Sequence, residues 1–244
     1  MQLTQRMIRE MQHDRKILSQ AKDIWGWESP AGKMRARARQ SFILRALEPK
    51  PGMSILEVGC GLGVHTRVFS IPGVKVDAVD ISKEFIGEAS SNFRRANTRF
   101  HTAAAESLPF SDGKFDAVVG ISTLHHLDMD AALREFHRVL KPAGKLIFTE
   151  PNLLNPMVFL ERNVGFIKRR HFVSDDETAF VRWSLERQLR THGFKNIRTV
   201  PFDLLHPQLP SWMLSPAVAV ADFSSRIPLI REFLGSIKIY AVKG

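Results

Sequence analysis

The chain has 244 residues, 44% hydrophobic and 25% charged, which suffices for one full core with appendages. Its 35 Lys and Arg against 25 Asp and Glu leave a formal net charge of +10, favouring anionic partners (nucleic acid, an anionic membrane face or acidic small molecules) without choosing among them. A single cysteine, Cys60, excludes an internal disulfide and a cysteine-built zinc cage, and fits a reducing compartment.

The N-terminal stretch from Gln2 to about Leu47 reads as a helical extension rich in Arg and Lys, with Trp25 and Trp27 before a break at Ser29-Pro30. Its first 30 residues hold no apolar run of 7 to 15 residues, so neither a signal peptide nor a membrane anchor is expected, and the expected location is the cytoplasm. Arg35 and Arg39 fall on one face of this extension. Either could meet an anion, although a solvated basic face is the plainer reading. Pro49, Pro51 and Gly52 end the extension.

From Met53 to about Gly193, short β-branched runs alternate with helical patterns, the signature of a parallel sheet wrapped by helices. The expected strands are 54–58, 74–79, 99–103, 115–121 and 145–149, followed by two more at 197–201 and 237–242. Ser82 is placed to cap a helix running to about Arg95, and Lys141-Pro142-Ala143-Gly144 stops the helix that contains Leu133 and Phe136. Ser174 to Glu177 reads as a capping box opening a helix through Phe180, Trp183 and Leu189. The proline-rich apolar segment 203–235 far exceeds a hairpin loop. Together with 152–172 it is the expected substrate cover. Its apolar stretch near Trp212 to Phe223 is interrupted by Pro216 and Asp222, short of the ~20 residues of a spanning helix.

The first strand runs directly into Glu57-Val58-Gly59-Cys60-Gly61-Leu62-Gly63, then a helical pattern through Thr66 and Phe69. Glycines there permit a sharp turn and close approach to a ligand, with helix N-terminal amides facing it. The second strand ends at Asp80, 21 positions after Gly59, the spacing at which a carboxylate accepts hydrogen bonds from ribose hydroxyls. Cys60 between two glycines suits a small residue in a tight turn better than a nucleophile.

With these motifs, the stretch from about Ile55 to Gly144 resembles the class I S-adenosylmethionine (SAM)-dependent methyltransferases of the broad group acting on small molecules. The loop follows the acidic-x-Gly-x-Gly-x-Gly form rather than the Gly-x-Gly-x-x-Gly of dinucleotide-binding proteins, which favours SAM over NAD. The resemblance implies an α/β Rossmann-like doubly wound sheet of seven strands in the order 3-2-1-4-5-7-6, the last antiparallel. Residues 1–47 would be the extension, 48–202 and 236–244 the core, and 203–235 an insertion acting as a lid. It further implies that Glu57 orients the loop, that Gly59, Cys60, Gly61 and Gly63 line SAM, and that Asp80 with Ile81 borders the ribose. Ala105 and Glu106 would pass the adenine, and Gly120 and Ile121 the methyl-transfer end. Ala104 stands where the family often has Asp, leaving Glu106 or backbone groups to read the base.

After the fourth strand, His125 and His126 occupy the position that lines the transfer site in the family. A histidine there could act as general base on a hydroxyl; the alternative is packing beneath the loop. Glu150 reads as a base or, more simply, a strand-end carboxylate. No metal is expected, because adjacent histidines point apart and no carboxylate pair is near them in sequence. The expected activity is transfer of a methyl group from SAM to a small-molecule or lipid-like acceptor by in-line displacement. The alternatives are peripheral attachment to an anionic membrane with a lipid-linked acceptor, a noncatalytic SAM-binding role, and RNA methylation, which charge alone suggests. The oligomeric state is not legible.

Overall fold

A computed structural model describes residues 4–170, 174, 177–207 and 209–244. Among them, β1 (Ser54–Val58), β2 (Lys75–Asp80), β3 (Thr98–Thr102), β4 (Phe115–Ile121), β5 (Leu140–Pro151), β6 (Phe194–Phe202) and β7 (Ser236–Lys243) form one sheet in the order β3-β2-β1-β4-β5-β7-β6. The five strands β1 to β5 are parallel, whereas β7 runs antiparallel to both β5 and β6. This is the expected fold, and it follows from short β-branched runs that are buried on both faces.

Alternation along β1 divides the core in two. Leu56 and Val58 face a cluster with Val118, Leu133, Phe136, Phe148, Leu185 and Ile239, while Ile55 faces one with Ile43, Leu47, Phe69, Val119 and Ile147. The helices in chain order are α1 (Gln5–Ile17), α2 (Ala21–Ile24), α3 (Pro30–Leu47), α4 (Thr66–Phe69), α5 (Lys83–Asn92), α6 (Met129–Val139), α7 (Pro156–Asn163), α8 (Gly165–Arg170), α9 (Arg182–Thr191), α10 (Leu214–Ser225) and α11 (Pro228–Arg231). Polar caps set several starts: Ser29 accepts from the Gly32 amide ahead of α3, Ser82 from Phe85 ahead of α5, and Asn155 from Met157 and Val158 ahead of α7.

Several boundaries differ from expectation. The N-terminal extension breaks before Pro30 as expected but is interrupted a second time between α1 and α2, Gln2 lying outside the described residues, and α3 ends where Glu48 adopts φ 51°, before the prolines. The helix after the glycine loop is a single turn. Strand β5 starts at Leu140, because Leu140 already pairs with Phe115 ahead of a bulge. The Ser174 box forms only locally: the Ser174 amide donates to Glu177 Oε1 at 2.7 Å, but the helix begins at Arg182, and Asp175 and Asp176 lie outside the described residues. Tertiary pairing takes the intervening backbone, since the Thr178 amide donates to the His125 carbonyl and Phe180 exchanges hydrogen bonds with Pro151 and Leu153. Among the described residues no helix is long and apolar enough to cross a membrane.

Candidate active site

Above the carboxyl ends of β1, β2, β4 and β5 lies a cavity of about 820 Å³, roofed by α1 and α2 and bordered by α3, α7 and residues 203–207. Ligands of open parallel sheets settle at this edge. Of the residues singled out in the sequence, Gly59, Cys60, Gly61, Asp80, Ile81, Ala105, Glu106, Ile121, His125 and His126 line it. Glu57, Gly63, Gly120 and Glu150 do not. Gly63 packs on Ala89 and Phe100, and Gly120 lies against the Phe148 ring.

The loop is held from both sides. The Gly59 and Cys60 amides donate to the Val79 carbonyl at 2.9 and 3.1 Å, and the Gly61 amide donates to Asp80 Oδ2 at 2.8 Å. Asp80 Oδ1 accepts from the Ser82 amide at 3.0 Å, and burial pushes its pKa up despite these two donors. Gly59 has φ 67°, and a Cβ there would sit 2.3 Å from Thr123 Oγ1. Only glycine tolerates both constraints. Glu57 is 3% exposed, its Oε2 has no hydrogen-bond partner, and burial pushes it up to about 8. The Cys60 thiol is raised well above its ordinary range by burial and then by Asp80, which leaves no thiolate for nucleophilic work.

At the other end of the cavity, His125 Nδ1 lies 2.7 Å from Glu150 Oε2, and Glu150 Oε1 accepts from the Thr123 and Leu124 amides at 2.9 Å each. Glu150 is therefore a strand-end carboxylate that also positions a histidine. Burial raises it to about 7, and burial together with His126 and Arg162 drives His125 well below the ordinary imidazole range. A neutral His125 donating Nδ1–H to Glu150 keeps an Nε2 lone pair, 3.8 Å from Glu177 Oε2. His126 behaves oppositely. Burial would lower it, but Glu10 at 2.7 Å and Glu177 outweigh that and hold it up to about 9.

Sequence spacing gave no sign of carboxylates beside the histidines, and here the fold corrects the expectation. Glu10, Glu150 and Glu177 converge on the two rings, whose centroids are 4.1 Å apart, and His125, His126 and Glu177 offer donor atoms within 4.8 Å of one another. Arg162, 2.5 Å from the same Glu177 oxygen, supplies the local countercharge. Just before this loop Ser122 adopts φ 54°, an uncommon conformation for a residue with a side chain.

Other lining residues carried no motif. Arg6, Glu10, His13 and Asp14 come from α1, Asn155, Glu161 and Arg162 from the α7 region, and Asp203 and His206 from the segment after β6. Arg6 pairs with Glu106 at 2.7 Å, and the same Glu106 oxygen accepts from the Asp128 amide. Asp14 is raised to about 8, by burial first and then by Asp80 and Glu10. Only the 3.6-residue periodicity of α1 could have placed Met7, Asp14 and Ile17 on its inner face.

The sheet order is that of the Rossmann-like methyltransferases. Residues 56–148 match the family model described as a methyltransferase domain. An O-methyltransferase of Penicillium expansum is 33% identical over 134 residues, covering 51% of this chain and 49% of that protein. A demethylmenaquinone methyltransferase of Chlorobaculum parvum is 37% identical over 114 residues, covering 46% and 45%. The chain thus spans about half the length of these curated relatives. A SAM-dependent methyltransferase from Thermotoga maritima superimposes with a TM-score of 0.64 at 19% identity, covering 96% of this chain and 99% of that one. Residues 56–148 thus match a methyltransferase domain, and the chain as a whole has the class I methyltransferase fold. Its site fits the SAM that such proteins bind: Gly61 lines the cavity with open space where a Cβ would intrude, and Glu57 near the end of β1 holds a buried, unpartnered oxygen.

Proposed function

We propose that the protein methylates a hydroxyl of a small-molecule or lipid-like acceptor bound beside SAM in the cavity. The observation that carries this reading is one continuous cavity that joins the glycine loop to His125, the partner of Glu150. Its volume of about 820 Å³ suits two small ligands together. Ile24, Trp25, Trp27, Val158 and Leu205 give it apolar walls that suit an apolar acceptor.

Gly59, Gly61 and Asp80 would hold SAM, with Ala105 and Glu106 bordering the base. Bound there, SAM supplies an electrophilic sulfonium methyl that needs alignment and exclusion of water more than acid-base help. The helices α1 and α2 cover the cavity, and α7 with residues 203–207 borders the acceptor side. His125 Nε2 would take the proton from the acceptor hydroxyl. Glu150 accepts the Nδ1–H, fixing the tautomer and stabilising the imidazolium that results. Calorimetry with SAM and with NADH tests the cofactor: micromolar SAM binding, weakened at least tenfold by Asp80→Ala and without NADH binding, is expected. A protein that binds NADH and not SAM overturns the reading.

A second reading rests on exposed apolar side chains: Met157 (52%), Phe166 (68%), Trp212 (77%), Phe223 (65%) and Leu229 (80%). Together with an exposed Arg226 and the net charge of +10, they suit attachment to an anionic membrane from which a lipid-like acceptor enters. Pelleting with phosphatidylglycerol vesicles at low and high salt tests it, and absence of binding at both removes it.

A further inference from the structure

Among the described residues four arginines line the cavity, and they are treated unequally. Arg6 pairs with Glu106 at 2.7 Å, Arg162 with Glu177 at 2.5 Å, and Arg39 with Asp203 at 3.1 Å. Arg35, one turn before Arg39 on the same face of α3, forms no ion pair and donates no side-chain hydrogen bond among the described residues, and its Nε is sealed from solvent. The carboxylates that act on it electrostatically, Asp203 and Glu161, are paired with Arg39 and with His206. Burial, and then Arg39, push the guanidinium down to about 10, far from the usual arginine range.

A half-buried guanidinium whose Nε is sealed from solvent without a partner is costly, and an apolar side chain of similar length would fill the position without that cost. Its planar fork of donors matches the two oxygens of a carboxylate or phosphoryl group. We infer that Arg35 is the receptor for an oxyanion brought into the cavity by its ligand. The oxyanion has two sources, the methionine carboxylate of SAM and an anionic group on the acceptor. The first source rests on the proposed methyltransferase function; the second requires only that the cavity binds an anionic molecule.

Arg35→Met and Arg35→Lys separate them. Four probes are titrated by calorimetry: S-adenosylhomocysteine, 5′-methylthioadenosine, which lacks the amino-acid carboxylate, inorganic phosphate and benzoate. If SAM supplies the carboxylate, Arg35→Met weakens S-adenosylhomocysteine at least tenfold, leaves methylthioadenosine unchanged, and Arg35→Lys recovers part of the loss. If the acceptor supplies it, S-adenosylhomocysteine binds the variant as it binds the wild type, while phosphate or benzoate raises the melting temperature of the wild type alone. Under either source the ligand-free Arg35→Met protein melts higher by roughly 2 to 4 °C or more, since no native partner is lost. A variant that matches the wild type with every probe, or that melts lower with unchanged affinities, overturns the inference. Wild-type protein that binds neither nucleoside sinks the methyltransferase reading instead, and the phosphate and benzoate arms on ligand-free protein still decide Arg35.

Discussion

Glu57→Gln should stabilise the ligand-free protein, and increasingly so as pH rises. Glu57 is 3% exposed at the end of β1 with an unpartnered Oε2, and burial lifts its carboxyl from 4.5 to about 8, with the Thr66 hydroxyl offsetting part of the effect. Below pH 4.5 the group is protonated in the folded and the unfolded chain alike and contributes nothing. Between 4.5 and 8 the unfolded chain releases a proton that the folded chain keeps, so stability falls with rising pH; above 8 both forms are ionised and the loss is complete. At about 1.4 kcal/mol per pH unit, the 3.5 units between those values make that loss on the order of 5 kcal/mol. Asp14, raised to about 8, tilts stability in the same direction, but equally in both proteins. Thermal unfolding followed by circular dichroism from pH 4.5 to 8.5, without SAM, should show the variant and the wild type together at the acid end. They should part by on the order of 10 °C at the alkaline end. A difference that stays constant across this range refutes the assignment of a buried, unpaired carboxyl at Glu57.

His125→Gln should lower the rate of methyl transfer to a hydroxyl acceptor by about 10²- to 10⁴-fold while S-adenosylhomocysteine affinity stays within about twofold; a rate that is unchanged removes His125 as the base. Gly59→Ala combines a left-handed backbone with a Cβ 2.3 Å from Thr123 Oγ1, so it should cost more than about 1 kcal/mol in urea denaturation. It should also weaken SAM binding. Phe136→Ala removes a fully buried ring stacked on Phe148 at 5.7 Å and should destabilise by about 3–5 kcal/mol, read from the denaturation midpoint at constant slope. Its effect on SAM affinity should be slight, since the ring lies beneath the sheet face and does not line the cavity.

The sequence by itself determined the sheet and the glycine-loop end of the cavity. Strands β1 to β5, the glycine turn and the carboxylate closing β2 are written in patterns a few residues long. The local backbone obeys such patterns because side-chain alternation and the conformational freedom of glycine act on immediate neighbours. Where a local signal competed with distant partners it lost. The Ser174–Glu177 box formed without opening a helix, because the backbone of 178–180 was claimed by His125, Pro151 and Leu153.

The chemistry at the histidine end of the cavity was decided only by tertiary structure. His125 and Glu150 are 25 positions apart in the chain, Arg6 and Glu106 100 apart, and Glu10 reaches His126 from a helix that carries no motif. Two adjacent histidines are driven in opposite directions by what surrounds them, and Arg35 is set apart from Arg39 only by what its guanidinium fails to reach. Protonation and pairing depend on burial and on charges within a few ångströms, and those distances exist only once segments far apart in sequence have packed together.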